Sequence, residues 1–304
     1  MADRLRWGVM GTGNIARQFA EGVKGASRSA LAAVGSRSRD TAEAFARAHA
    51  VPVAHESYDA LLADGSVEAL YISLPNSMHH EWTIKALRAG KHVLCEKPFA
   101  SDADQAREMF HVAKAQGRVL VEAFMYRSHP LIHAVMQHVR GGAIGKVKLI
   151  RTSFCYRTTK VDGNIRFSPQ LDGGVLMDVG CYCISFSRLV AGEEPSAVNV
   201  IAHRHETGVD DVAAGTLLFP GGAMATFTCG MSVQADNTAS ICGDEGYIET
   251  PVPWKPPVKK AHYTLAHSTP PRQDPTQKAP PPKQTFEVDA PGQLPLQAAR
   301  GAVQ

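Results

Sequence analysis

The sequence has little net charge and no run of positive residues, which argues against a polyanionic partner. Its 304 residues carry a formal net charge of +3, and the lysines and arginines are scattered. We therefore expect no nucleic-acid partner. We find no apolar stretch of the roughly 18 residues that a membrane span needs, so no membrane association is expected. A strand-like segment begins as early as Trp7, which leaves no room for a signal peptide and favours a cytoplasmic location.

Cysteines are few and follow no regular framework. The six lie inside apolar segments, at positions 95, 155, 181, 183, 229 and 242. In a chain of this length that pattern predicts reduced, buried thiols in a cytoplasmic protein. The adjacent residues His79 and His80 point apart on a helix, and no further ligand cluster accompanies them. We expect no metal ion.

The first third of the chain alternates short apolar runs with amphipathic helical stretches. This alternation is typical of a parallel sheet flanked by helices, an α/β doubly wound (Rossmann) domain. We predict that it covers residues 1–123. The predicted strands are 7–10, 30–35, 69–74, 91–95 and 119–122, and the predicted helices are 14–25, 41–50, 58–63, 79–89 and 102–116.

The pattern changes after residue 123 to longer, alternating strands. We predict that residues 124–304 form an α+β domain with a mostly antiparallel open sheet and a helix on one face. The predicted strands are 146–157, 197–206, 213–219, 223–232, 238–242, 261–267 and 284–290, and the predicted helices are 130–141 and 175–191. If the other face of the sheet is apolar, a second copy of the chain would cover it, giving a homodimer or a dimer of dimers.

A glycine-rich loop follows the first strand, with the sequence Gly11-Thr12-Gly13-Asn14-Ile15-Ala16. Gly11 permits a tight turn, and Gly13 lets the backbone approach a pyrophosphate at the start of the helix. The strand–loop–helix placement predicts a dinucleotide cofactor. A glycine-rich turn without function is the alternative.

The residues after the second strand select the nucleotide. A carboxylate there would bind the ribose 2′-hydroxyl, but this chain has Ser36 and Arg37, which suit a 2′-phosphate. We therefore favour NADP(H) over NAD(H). A solvated loop whose arginines contact no ligand is the alternative.

Two further segments follow strands at the same edge of the sheet. After the third strand come Leu74-Pro75-Asn76 and His79, which we expect to contact the cofactor, although Asn76 is also a common helix cap. After the next strand comes Glu96-Lys97-Pro98, which places a cation where parallel sheets bind ligands.

Together these segments resemble the Gfo/Idh/MocA oxidoreductases. The resemblance spans about residues 6–248 and rests on the glycine loop and four other pieces: Leu74-Pro75-Asn76-Ser77-Met78-His79, Glu96-Lys97-Pro98, Glu122-Ala123-Phe124-Met125-Tyr126-Arg127, and Gly173-Gly174-Val175-Leu176-Met177-Asp178-Val179-Gly180-Cys181-Tyr182. The last piece is similar to the branch with glucose–fructose oxidoreductase, dimeric dihydrodiol dehydrogenase and NADP-dependent xylose dehydrogenases. Relatives usually continue into a further helix, whereas Leu294 to Gln304 looks like only the beginning of one.

The resemblance implies a catalytic set of Lys97, Asp178 and Tyr182. Tyr182 would accept a proton from a substrate hydroxyl as hydride leaves the same carbon. Lys97 would favour the tyrosinate and stabilise the developing alkoxide. Asp178, four residues before Tyr182, would orient Lys97 or bind a substrate hydroxyl. From spacing alone, Tyr182 could equally be a buried aromatic residue.

The implied activity is hydride transfer between NADP and a hydroxyl-bearing carbon of a sugar, polyol or dihydrodiol. Glu96 would hold the nicotinamide ribose or pair with Lys97, and Tyr126, Arg127 and Arg166 would line the substrate pocket. The alternative is a nucleotide-binding sensor of the same fold that does not turn over substrate.

Overall fold

The computed structural model describes residues 4–268 and 281–290. The chain divides into two compact units, and the division falls between Phe124 and Met125. The short segment Gln170–Asp172 belongs to the N-terminal unit although it lies far along the chain. The predicted C-terminal segment, 294–304, is outside the described residues.

The N-terminal unit contains a six-stranded parallel sheet in the order β3-β2-β1-β4-β5-β6. This order reverses between β1 and β4, which creates the crevice where such sheets bind dinucleotides. The strands are β1 (Leu5–Met10), β2 (Ser29–Gly35), β3 (Val53–His55), β4 (Ala69–Ile72), β5 (His92–Cys95) and β6 (Leu120–Glu122). The helices are α1 (Asn14–Lys24), α2 (Arg39–His49), α3 (Tyr58–Ala63), α4 (His79–Arg88) and α5 (Ala103–Ala115).

Apolar residues at helical spacing dock these helices on the sheet. On α1 the buried stripe consists of Ala16, Ala20 and Val23, so the helix lies close to the strands. Phe19 stacks on Tyr71 of β4 with ring centroids 4.0 Å apart. The helix that carries the glycine loop is therefore anchored on the strands on both sides of the crevice.

The C-terminal unit contains an eight-stranded sheet in the order β14-β13-β12-β11-β7-β10-β9-β8. Every neighbouring pair is antiparallel except β7 and β10. The strands are β7 (Val147–Cys155), β8 (Ala197–Arg204), β9 (Asp210–Leu218), β10 (Met224–Gly230), β11 (Ala239–Gly243), β12 (Gly246–Thr250), β13 (Ala261–His267) and β14 (Lys283–Val288). The helices are α6 (Pro130–Arg140) and α7 (Cys181–Ala191), and α7 packs on β7 and β10.

The predicted fold class is confirmed for both units. The structure adds two short strands that the sequence interpretation missed, Val53–His55 and Gly246–Thr250. It also corrects the predicted helix 175–191, which is divided into a π-helical turn at Leu176–Gly180 and α7. Such turns often occur at functional sites because they redirect side chains within a helix.

One apolar stretch does reach membrane-spanning length, contrary to the expectation from the sequence. Among the described residues, the stretch Pro169–Ala191 is long and apolar enough by composition. Of the 18 most apolar consecutive residues in this stretch, 61% are buried in the structure. That burial is what a core helix shows, and this stretch contains α7.

Candidate functional site

The glycine loop leaves the start of α1 open for a ligand. Gly11 has φ = +100°, which a residue with a side chain rarely adopts, and an added Cβ would lie 3.1 Å from the Ser73 carbonyl oxygen. A Cβ at Gly13 would meet no atom within 4 Å. Gly13 and Asn14 are exposed, and no side chain caps the helix. The first amides of α1 can therefore bind an anion such as a pyrophosphate.

The two residues predicted to select the nucleotide have different environments. Ser36 is buried, and its hydroxyl lies 2.6 Å from the Thr41 hydroxyl. Arg37 is exposed, and its guanidinium interacts with the Tyr58 hydroxyl, although burial keeps the pKa of Tyr58 above its usual value. Arg39, two residues on, pairs with Glu43 and Glu56. Arg37 therefore contacts a hydroxyl, whereas Arg39 is paired with carboxylates.

His79 lies in the interior and braces two loops at the sheet edge. Its Nδ1 lies 2.8 Å from the Pro98 carbonyl oxygen and its Nε2 lies 2.9 Å from the Leu74 carbonyl oxygen. Burial, with a smaller contribution from Lys97, lowers the pKa of its imidazole. With no exposed surface and both nitrogens facing the backbone, His79 supports the site indirectly instead of making the expected cofactor contact.

Asn76 lies at the start of a short 3₁₀ turn, Asn76–Met78. Its side-chain nitrogen donates to the Asp172 carbonyl oxygen at 2.7 Å. Ser101 donates to the carboxylate of the same aspartate. Asn76 therefore holds a distant segment of the N-terminal unit, a function that neither the helix-cap reading nor the cofactor-contact reading anticipated.

Glu96 and Lys97 follow β5 at the carboxyl edge of the parallel sheet, as expected. The Tyr71 hydroxyl donates to Glu96 Oε1 at 2.5 Å, and the Lys97 amide donates to Glu96 Oε2 at 3.2 Å. The Phe99 amide donates to Glu122 Oε1 at 3.0 Å. These contacts fix the backbone on both sides of Pro98, and Lys97 is partly buried.

In the C-terminal unit, a pair of glycines lets the site helix begin beside Asp210. Gly174 has φ = +114°, and a Cβ there would lie 2.1 Å from Asp210 Oδ1. The Leu176 amide donates to Asp210 Oδ2 at 2.7 Å, so the aspartate satisfies a free amide at the start of the π-helical turn. Asp210 was not predicted, because it lies 34 residues from Leu176.

Asp178 is the centre of a hydrogen-bonded network on this turn. Its Oδ2 accepts from the Tyr156 hydroxyl at 2.5 Å and from Arg166 Nε at 2.9 Å. Burial, followed by the Asp178 charge, raises the pKa of Tyr156, which therefore remains a hydrogen-bond donor at neutral pH. The Asp178 charge also raises the pKa of Arg166. Arg166 was expected to line the substrate pocket and its pairing with Asp178 was not foreseen; Tyr156 was missed.

Tyr182 is one helical turn after Asp178 and is surrounded by rings. The centroids of Phe154, Tyr126 and Trp254 lie 5.3, 5.8 and 6.1 Å from that of Tyr182. Tyr126 itself is 1% exposed, and its hydroxyl lies 2.9 Å from that of Ser185. Tyr126 is thus a packing residue in this structure, not the expected pocket-lining residue, while Arg127 is exposed.

Comparison with protein families identifies both units. Residues 5–124 match the model described as the oxidoreductase family with an NAD-binding Rossmann fold, and residues 132–249 match the Gfo/Idh/MocA C-terminal domain. The chain belongs to the Gfo/Idh/MocA oxidoreductase family. The relatives that match this chain include NAD(P)-dependent oxidoreductases. This confirms the family resemblance found in the motifs.

Curated family members with related sequences act on diols and sugars. The chain is 36% identical to human trans-1,2-dihydrobenzene-1,2-diol dehydrogenase over 81% of its own length and 74% of the relative. It is 38% identical to an NADP-dependent D-xylose 1-dehydrogenase of Haloferax volcanii over 73% of its length and 68% of the relative.

Solved structures of the Gfo/Idh/MocA family share the fold. KijD10, a 3-ketoreductase from Actinomadura kijaniata in complex with NADP and TDP-benzene, has a TM-score of 0.81 and 30% identity, covering 95% of this chain and 85% of that one. The aldose-aldose oxidoreductase from Caulobacter crescentus, complexed with glycerol, has a TM-score of 0.78 and 28% identity, covering 91% and 85%.

The residues of the N-terminal unit fit a dinucleotide cofactor. The uncapped start of α1 and the open space at Gly13 accommodate a pyrophosphate, and the strand order places this loop beside the reversal of the sheet. Gly11 to Ile15 would hold the phosphates, and Glu96 and Lys97 lie at the same edge.

Proposed function

We propose that the protein is an NADP-dependent oxidoreductase that transfers hydride between the nicotinamide and a hydroxyl-bearing carbon of a sugar, polyol or dihydrodiol. One observation carries the proposal: a buried, paired Asp178 lies one helical turn before Tyr182, in a chain whose glycine loop is open to a dinucleotide. The activities of the related dihydrodiol dehydrogenase, xylose dehydrogenase and 3-ketoreductase support this range of substrates.

Each residue has a distinct task in this proposal. Tyr182 takes the proton of the substrate hydroxyl, and Lys97 stabilises the negative charge that develops on that oxygen. Asp178, held by Tyr156 and Arg166, fixes the π-helical turn that leads directly into α7, the helix of Tyr182. Arg127 is proposed as a substrate-lining residue because it is exposed beside the buried Tyr126. A bound nicotinamide would supply the hydride acceptor or donor.

The decisive experiment is a screen of aldoses, polyols and dihydrodiols with NADP and NAD in parallel, following the absorbance of the reduced cofactor. We expect turnover with NADP and at least one of these substrate classes. Tight cofactor binding without turnover of any of them would favour a non-catalytic sensor instead.

Arg37 is proposed to select NADP. Replacing Arg37 with glutamate should weaken NADP binding by about 10- to 100-fold, because a charge-assisted contact becomes a repulsion. NAD binding should change little, since NAD lacks the 2′-phosphate. Calorimetric titration of both cofactors measures the effect, with Arg88→Glu, at an exposed arginine at the end of α4, as the control. Equal losses for both cofactors would contradict this selection.

We also propose that the protein forms a homodimer or a dimer of dimers through the C-terminal sheet, and that it is cytoplasmic, since its six cysteines are free thiols. On one face of the outer strands, Ile201, Leu218 and Met224 are 77%, 44% and 51% exposed. An apolar face of this kind is commonly covered by a partner.

Replacing Ile201 with glutamate should convert the oligomer to monomers, because the substitution places a charge in an apolar interface. Light scattering after size-exclusion chromatography measures the mass. The control is Val252→Glu, at an exposed valine of the same unit that lies outside the strands. It should leave the mass unchanged. A monomeric wild-type protein would overturn the proposed oligomer.

A further inference from the structure

Arg166 is held in one place by both its backbone and its side chain. Its carbonyl oxygen accepts from the Gly174 amide at 2.8 Å, and its own amide donates to Asn164 Oδ1 at 3.2 Å. A Cβ at Gly173 would lie only 2.4 Å from the same carbonyl oxygen, so the close approach needs glycine. The Nε bond to Asp178 then fixes the guanidinium.

This fixed charge lies near the proposed base. The Tyr156 hydroxyl and Arg166 bind the same oxygen of Asp178. Phe154, two residues before Tyr156 on the same face of the chain continuing β7, has its ring centroid 5.3 Å from that of Tyr182. This spacing places Arg166 and Asp178 close to Tyr182. Consistent with this spacing, a negative charge on Tyr182 would raise the pKa of Arg166. The Arg166 side chain is 46% exposed, so part of it remains accessible to solvent although it is bound to Asp178.

We propose that Arg166 is a positioning residue whose charge supports the tyrosinate form of Tyr182, and that Asp178 both holds this charge and opposes it. The inference rests on the proposed role of Tyr182 as the base. It assigns Arg166 a function other than contact with the substrate. It also provides a cation in the same unit as the tyrosine.

Three titratable groups near Tyr182 in the C-terminal unit remain neutral. Burial raises the pKa of Tyr126 and of Cys183, and burial together with Asp178 raises that of Tyr156. Phe154 and Trp254 contribute apolar surface. Arg166 and Asp178 carry opposite charges, so removing Arg166 and removing Asp178 should shift the ionisation of Tyr182 in opposite directions.

Coulomb's law gives the direction in which each substitution shifts the ionisation of Tyr182. Replacing Arg166 with methionine removes a positive charge near Tyr182 while the Asp178 charge remains, which disfavours tyrosinate. Ionisation of Tyr182 should then require a pH about one unit higher. Asp178→Asn should move it to lower pH, and the double variant should return it towards the wild-type value. Arg166→Lys retains the charge and should restore part of the shift.

The titration can be measured in the full-length protein without any substrate. The near-ultraviolet absorbance of tyrosinate is followed against pH for each variant, and the same titration in the Tyr182→Phe background is subtracted to isolate Tyr182. Arg140→Met, at an exposed arginine at the end of α6, is the matched control. We expect a higher midpoint for Arg166→Met and an unchanged one for Arg140→Met. Equal midpoints for Arg166→Met and the wild type would overturn the inference.

The pH profile of substrate oxidation separates this inference from the proposed function. Its acid limb should move with the absorbance midpoint in each variant, because the tyrosinate is the active form. Turnover by the wild type with no shift in Arg166→Met would overturn the proposed role of Arg166 and leave the proposed enzymatic function supported. A shifted absorbance titration in a protein that turns over no substrate would support the role of Arg166 and contradict the proposed enzymatic function.

Discussion

Replacing Lys97 with methionine is expected to lower kcat by about 10²- to 10⁴-fold, the usual range for loss of a group that stabilises charge or assists proton transfer in the transition state. Methionine has a similar length and no charge. The glycine loop and the Glu96 contacts to Tyr71 and the Lys97 amide involve other atoms. Cofactor affinity should therefore remain close to that of the wild type.

Steady-state kinetics on the substrate found in the screen, together with calorimetric NADP binding, measure the two quantities separately. Lys85→Met is the matched control, because Lys85 belongs to the same unit and pairs with Glu81 on the surface of α4. It should leave both quantities unchanged. Wild-type kcat in the Lys97 variant would exclude a role for this lysine in the chemical step.

Removal of the Tyr182 hydroxyl should have a comparably large effect, about 10²- to 10⁴-fold on kcat, because the proposed proton acceptor is lost. Phenylalanine keeps the ring, so the contacts with Phe154, Tyr126 and Trp254 should persist. The fold should be retained, and the defect should lie in turnover.

Thermal unfolding and kcat, measured side by side, distinguish a chemical defect from a structural one. Tyr263→Phe is the matched control: this buried tyrosine stacks on Phe286 with centroids 5.0 Å apart and has no proposed function in catalysis. Its kcat should equal that of the wild type. A Tyr182→Phe variant that retains wild-type kcat would remove Tyr182 from the mechanism.

The sequence predicted most elements of the N-terminal unit because each long helix and strand has its own periodicity. Helix α3 (Tyr58–Ala63) and strand β13 (Ala261–His267) agree with the predicted bounds. The missed strands β3 and β12 have three and five residues, although β6, with only three, was predicted. Their pairing partners define them.

The candidate site was predicted in part, through motifs that are local in sequence. Arg166 and Asp178 are 12 residues apart, and their pairing is seen only in the structure. Tyr156 escaped notice although an available pattern could have identified it. It continues the alternation of Ile150, Thr152 and Phe154 along the buried face of β7, the side on which α7 packs.

By itself the sequence determined the order of the elements, the glycine loop and the chemical groups offered at the strand ends, because these depend on neighbouring residues. Tertiary structure decided which of those groups are accessible. His79 and Tyr126 stand within motifs yet are buried by residues far along the chain. Arg166 is fixed beside Asp178 by a backbone contact with Gly174. Burial and charge pairing depend on contacts between distant segments, and local sequence does not specify those contacts.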